Sequence, residues 1–169
     1  FSSSGSGGPA HLSGEMFQSM AGVKMVHVPY KGSAPGTLAL ISGETDLMFS
    51  NMLPAIPQVK ANKLRALAIT ATKRSAILPE VPTVAESGLT GFGVETLYGV
   101  LAPAGTPREI IARLNGEIGK GLQSPDTKQR LLADGSEVLV STPEEFEKVI
   151  RAETEKWRQV IRRAGIKAE

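Results

Sequence analysis

Twice within its first 33 residues the chain passes from a short strand-like stretch through a polar, glycine-bearing loop into a helical pattern. The first loop is Ser2-Ser3-Ser4-Gly5-Ser6-Gly7-Gly8-Pro9-Ala10-His11, and the second, Tyr30-Lys31-Gly32-Ser33, follows the strand Val26-His27-Val28-Pro29. Strand leading directly to helix, and then again, restricts the chain to α/β architectures with a mainly parallel sheet and helices on its faces. It also places both loops at helix starts, where unpaired N–H groups and the positive end of the dipole attract an anion. Glycine lets the backbone approach closely, and hydroxyls add donors. Together the loops predict a pocket for a small, negatively charged molecule.

The first loop alone reads equally as a plain turn or linker. It is not a Walker A loop, because no Gly-Lys-Ser/Thr closes it. Nor is it a dinucleotide fingerprint, since Pro9 falls where a third glycine belongs. The second loop adds a formal charge, Lys31, beside Tyr30 and the predicted helix cap Ser33.

Composition narrows the function classes. Net charge is +2 and evenly spread: residues 1–98 carry 7 basic and 6 acidic side chains, and residues 99–169 carry 12 and 11. That balance, with few aromatics, argues against nucleic acid as a partner. No run of about 18 apolar residues exists to span a membrane. Cysteine is absent, so thiolate metal sites are excluded, and His11 and His27 lack metal-ligand spacing with carboxylates. Neither a metal nor a cofactor is expected.

A coarse reading extends the alternation. Phe1–Ser3 is the tail of a strand, and Pro9 opens a helix whose Leu12, Met16 and Met20 share a face before Gly22 ends it. Val23–Pro29 is a strand, and Ser33 caps a helix with Leu38 and Ile41 inward, closed by Gly43. Asp46–Phe49 is a strand ending in Ser50-Asn51, Pro54–Ala61 a helix, and Leu64–Thr70 a buried strand. Thr83-Val84-Ala85-Glu86 is a capping box. After about residue 98 the character changes. Leu97–Pro103 reads as a crossing strand, and Glu137–Val140 as a short edge strand. Three helices start at Thr106-Pro107, Ser124-Pro125 and Thr142-Pro143, with apolar stripes such as Ile110, Ile111, Leu114, Ile118 and Leu122. Those stripes exceed what two strands can cover, so part of a domain is expected to be absent. Ligands of parallel sheets bind at the carboxyl ends of the strands, where both loops and Ser50-Asn51 lie.

Several segments in order carry a specific resemblance. They are Gly5-Ser6-Gly7-Gly8-Pro9-Ala10-His11-Leu12, Val26-His27-Val28-Pro29-Tyr30-Lys31-Gly32, Asp46-Leu47-Met48-Phe49-Ser50-Asn51, Leu64-Arg65-Ala66-Leu67-Ala68, Pro79-Glu80-Val81-Pro82-Thr83, Leu101-Ala102-Pro103-Ala104-Gly105-Thr106-Pro107 and Ala164-Gly165-Ile166. The series resembles the Bug family, the extracytoplasmic solute-binding proteins of tripartite tricarboxylate transporters. The resemblance implies a two-lobed, periplasmic-binding-protein-like α/β fold, with 1–98 forming ligand-binding domain 2. Residues 99–169 would be the crossover strand and C-terminal helices that return to domain 1, the N-terminal part of domain 1 being missing. Family members are about twice as long and carry a signal peptide, so its absence here implies removal or truncation of a periplasmic protein. The partners implied are a small organic carboxylate and the transporter's membrane permease subunits; exposed stripes add a dimer or association with the missing segment.

The ligand-binding residues implied are Ser4, Gly5, Ser6, Gly7, Gly8 and His11 in the first loop, Tyr30, Lys31, Gly32 and Ser33 in the second, and Ser50 and Asn51. The ligand class implied is a mono-, di- or tricarboxylate; members often have Asp where this chain has Ser50, and its loss favours a simple mono- or dicarboxylate over an amino acid. Many have a hydroxyl at the position of Gly8, so backbone N–H groups would carry more of the binding there. His11 reads equally as a local hydrogen-bonder, and His27 as packing. Trp157 belongs to a core or an interdomain seam. Two other classes stay open: a regulatory module sensing an organic anion, and a serine hydrolase using Ser4 or Ser6. The hydrolase lacks the Gly-x-Ser-x-Gly spacing and an evident Asp–His pair.

Overall fold

The computed structural model describes residues 1–166, and the chain divides into two compact units. The first comprises Phe1–Thr96 and the stretch from Trp157 onward, and the second Leu97–Lys156.

In the first unit, β1 (Ser2–Ser3) pairs in parallel with β2 (Val28–Pro29), with Ser2 opposite Val28 and Ser3 opposite Pro29. On its other side Ser2 makes a parallel bridge to Met48, and a second parallel bridge joins Ile69 to Thr83. Every pairing among the described residues is parallel, as the strand–helix alternation predicts. The strands are shorter than their sequence patterns. Val23–Pro29 contracts to β2, and Asp46–Phe49 and Leu64–Thr70 each contract to a single bridge. Alternation marks extended backbone, but a strand also needs a partner with free N–H and C=O groups alongside. Leu64–Thr70 is also not a buried run, for Leu67 is exposed.

Three helices belong to this unit: α1 (Pro9–Ala21), α2 (Ser33–Ile41) and α3 (Met52–Lys60). Pro9 occupies the first turn of α1, and Gly22 ends it at φ 67°, its N–H bonded to the Gln18 carbonyl. The inward face of α1 is His11, Leu12, Ser13 and Gly14, while Met20 faces water. Gly14 is needed for packing: a Cβ there would lie 2.3 Å from the ring of buried Phe1. Helix α2 corrects another expectation. Leu38 is 65% exposed, and the buried face is Gly36, Thr37 and Ala39. Small residues let this helix lie directly on β1, where Ser2 Oγ donates to the Gly36 carbonyl at 3.3 Å. A Cβ at Gly36 would come within 3.3 Å of the Ser3 carbonyl oxygen.

The core of the first unit is Phe92, Val94 and Val84, packed against Met16, Phe17, Phe49, Leu89 and Trp157. Trp157 is thus a core residue of this unit. Phe92, at 1% exposure, contributes roughly 1.5–3 kcal/mol by its burial. The Thr83–Glu86 box forms reciprocally: Thr83 N–H donates to Glu86 at 2.7 Å, and Glu86 N–H donates to the Thr83 hydroxyl at 3.0 Å. These bonds, with the Arg74 guanidinium, hold the Glu86 carboxyl below its ordinary range.

The second unit holds α4 (Arg108–Gln123), α5 (Pro125–Ala133) and the start of α6 (Pro143–Ala164). Ser124 caps α5 by accepting the Thr127 N–H. Thr142 and Glu145 form a reciprocal box at 2.8 and 3.2 Å. The helix predicted to start at Thr106-Pro107 has no capping box: the Thr106 hydroxyl donates to the Pro103 carbonyl at 2.8 Å, and Pro107 is the cap. Leu97–Pro103 and Glu137–Val140 are not strands, because no neighbouring strand lies alongside them among the described residues of the unit. Val100, Leu101 and Leu139 are exposed in those runs. The α4 stripe is uncovered too, with Ile110, Leu114 and Ile118 facing outward and only Gly119 buried.

Candidate functional site

Within the first unit, the two glycine loops and the Ser50-Asn51 turn follow β1, β2 and the Met48 bridge, so all three sit at the carboxyl side of parallel pairing. Between them lies a small, open recess lined by Ser4, Pro9, Ala10, Ser33, Met48, Phe49, Ser50 and Asn51. Pro9 and Ala10 begin α1, Ser33 begins α2, and Asn51 is the N-cap of α3. Three helix N-termini therefore open on one small space.

The backbone explains why glycine is required. Gly32, the N-cap of α2, has φ 109°, a conformation side chains rarely tolerate. Its N–H donates to the carbonyls of Ser4 and Tyr30, at 3.1 and 3.0 Å, tying the second loop to the first. Ser33 is accordingly the first helical residue and not the cap, and its hydroxyl makes no capping bond. Gly5 has φ 142° and Gly7 φ 73°.

Of the expected residues, the recess gathers Ser4, Ser33, Ser50 and Asn51. The Ser50 hydroxyl donates to the Asn51 carbonyl at 3.0 Å, and the Thr96 hydroxyl reaches Asn51 Oδ1 at 3.4 Å. The others lie outside its lining. Ser6, Gly7 and Lys31 are exposed beyond it, and Gly5, Gly8 and Gly32 shape the loops. His11 is buried and faces inward; its Nδ1 accepts the Gly7 N–H at 3.0 Å, so that amide is already occupied. The Gly5 N–H is likewise taken, by Ser3 Oγ at 3.2 Å. The Tyr30 hydroxyl is shielded from water and makes no geometrically good hydrogen bond among the described residues. Interaction with the Glu44 side chain, aided by burial, raises its pKa and keeps the phenol protonated. Met48 and Phe49, which sequence reading did not assign, supply an apolar wall. Their signal was position: they immediately precede Ser50-Asn51 at a strand end.

Among the described residues no charged side chain lines the recess. What it offers is dipole ends, backbone donors, hydroxyls and one amide, against an apolar wall. That combination suits the carboxylate and short aliphatic chain of an organic acid. The serine–histidine contact given by the structure is Ser3 Oγ to His27 Nε2, 2.6 Å, with Ser3 fully buried outside the lining. A nucleophile there could not meet substrate. Among the described residues no three His, Asp or Glu side chains group as metal ligands, and no helix is long and apolar enough to cross a membrane.

Comparison with known proteins identifies the fold. A curated protein from Pseudomonas sp. (strain P51), the UPF0065 protein in the tcbD-tcbE intergenic region, is 40% identical over 162 residues, 95% of this chain and 48% of that one. The chain thus spans about half the length of the curated relatives it matches. The structure of R. palustris Rpa4515 with adipate superposes with a TM-score of 0.90 at 36% identity, covering 98% of this chain and 56% of that one. MatC (Rpa3494) from Rhodopseudomonas palustris with bound malate gives 0.76 at 32% identity, covering 90% and 53%. The architecture is the α/β fold of the periplasmic binding proteins, spanning roughly half of such a chain. Residues 1–166 match the family described as tripartite tricarboxylate transporter family receptor (TctC), and the chain belongs to that family of solute-binding proteins.

Proposed function

We propose that the protein captures a small organic carboxylate outside the cytoplasm, in the periplasm, and delivers it to the membrane permease of a tripartite tricarboxylate-type transporter. A dicarboxylate is the favoured class, and no chemistry is performed on it. The observation that carries this reading is the convergence of three helix N-termini on a recess free of charged side chains. Such a site attracts an anion without a fixed counter-charge, so the ligand can leave again. Adipate and malate on two similar proteins support the class. The ligand-binding set is Ser4, Ser33, Ser50 and Asn51, with amides at the starts of α1 and α2 as the main donors.

Calorimetry with adipate and malate tests this. Saturable heat that falls in a Ser4→Ala/Ser33→Ala double variant is the expected outcome. Turnover of a carboxylate ester by the purified protein, or absence of binding to any mono-, di- or tricarboxylate, would contradict it.

A further inference from the structure

The first loop rests on two histidines that the carboxylate site does not itself use. His11 accepts the Gly7 N–H at Nδ1, 3.0 Å. His27, just before β2, places Nε2 2.6 Å from Ser3 Oγ, which accepts the Gly5 N–H and donates to the Gly5 carbonyl at 3.1 Å. The two rings stack face to face, with centroids 3.8 Å apart and planes 8° from parallel. Phe1 closes the stack at 5.1 Å from His27. One histidine therefore holds Gly7 and the other, through Ser3, holds Gly5, on either side of Ser6 and next to Ser4 in the recess wall.

Hydrogen-bond accounting fixes the protonation this requires. A ring nitrogen accepts only when it carries no proton, so His11 is neutral with its proton on Nε2, which faces Glu15 at 3.6 Å. The Ser3 hydroxyl has one proton to give. With the His27 proton on Nε2, bonds run from Nε2–H to Ser3 Oγ and from Ser3 O–H to the Gly5 carbonyl. We infer that His11 and His27 are a joint positioning element for the anion loop: His27 holds Gly5 through Ser3, neutral His11 holds Gly7, and a proton on His11 Nδ1 releases the Gly7 side of the loop. A proton on His11 Nδ1 would set two donors against each other. Charge on both rings would put two cations in stacking contact in a buried place. Glu15 on α1 faces His11 Nε2, and the amino group of Phe1 opposes a charge on His27. Burial, then the charge of His11, then that amino group, push His27 down to about 4. The effect on ligand affinity rests on the proposed carboxylate site; the hold on the two amides does not.

Nuclear magnetic resonance on the whole chain without ligand, from pH 7.5 to pH 4, follows the Gly5 and Gly7 amides beside the two imidazole signals. The expected result is that the Gly7 amide moves with the His11 ring, while the Gly5 amide, held through Ser3, moves less. A Gly7 amide unchanged across that range would overturn the inference, whatever binds. The second arm measures adipate affinity across the same range in the chain and in His11→Asn, whose Oδ1 can accept the Gly7 N–H but does not titrate. Protonation of adipate affects both proteins alike. The unaltered chain should lose about tenfold more affinity than the variant, one hydrogen bond's worth. Identical profiles would contradict the role in binding. Should adipate bind neither protein at pH 7.5, the carboxylate reading fails while the amide titration still decides on the pair.

Discussion

The φ of 109° at Gly32 joins the two loops, because only that turn lets its N–H reach both Ser4 and Tyr30. A β-branched side chain there is strained by roughly 1–3 kcal/mol. Gly32→Val should lower the urea midpoint by a corresponding amount and weaken adipate binding in calorimetry. An unchanged midpoint would show that the loop does not need this backbone. His27 gives the second residue-scale expectation. Its ordinary value of 6.5 falls to about 4 in the fold, so the unfolded chain takes up the proton first as pH drops. The stability tied to the neutral ring is complete above about pH 6.5 and is lost toward pH 4. Urea titrations should show this decline, less steep in His27→Gln. At this scale the sequence was only half legible. Loop glycines announce themselves by composition, whereas the inward turn of His11 and the exposure of Lys31 depend on neighbours many residues away. Ser33 misled for a related reason: with a glycine at positive φ as the cap, its hydroxyl has no capping role.

Among the elements, most local patterns translated and the non-local ones did not. The Thr142–Glu145 and Thr83–Glu86 boxes, the Ser124 cap and the Gly22 stop each depend on residues within one turn, and all form. Leu97–Pro103 and Glu137–Val140 have strand-like sequences but no strand to pair with among the described residues of their unit. Thr106 shows how a correct pattern can be diverted, since the Pro103 carbonyl takes its hydroxyl proton. These bonds set an order of stabilities. Thr142→Ala should cost about 1 kcal/mol by loss of the cap. Thr106→Ala should cost less, and equal losses in chemical denaturation would count against the difference in capping.

For the whole molecule, the exposed apolar side chains of Leu97–Lys156 matter most. Ile110, Leu114, Ile118, Leu139 and Val149 are all more than a third exposed, and contiguous apolar surface of a few hundred Å² promotes association. The 17.9 kDa chain is expected to sediment as a dimer or larger. A chain extended to the length of its relatives should stay monomeric, as the added segment would cover those stripes. Sedimentation of the 169-residue chain as a stable monomer would oppose this. The longer chain should also bind its carboxylate more tightly. Two or three further charge-assisted bonds, about 1.5–3 kcal/mol each, amount to roughly two to five decades in affinity.

The central claim is that three helix N-termini bind a carboxylate together. Its most direct test is an adipate titration followed at the backbone amides by nuclear magnetic resonance, which registers even millimolar binding. The amides of Ser4, Ala10, Ser33 and Asn51 should shift together along one saturation curve, with those of α4 and α5 unmoved. Shifts confined to a single helix start, or spread over the lysine- and arginine-bearing surface instead, would contradict it.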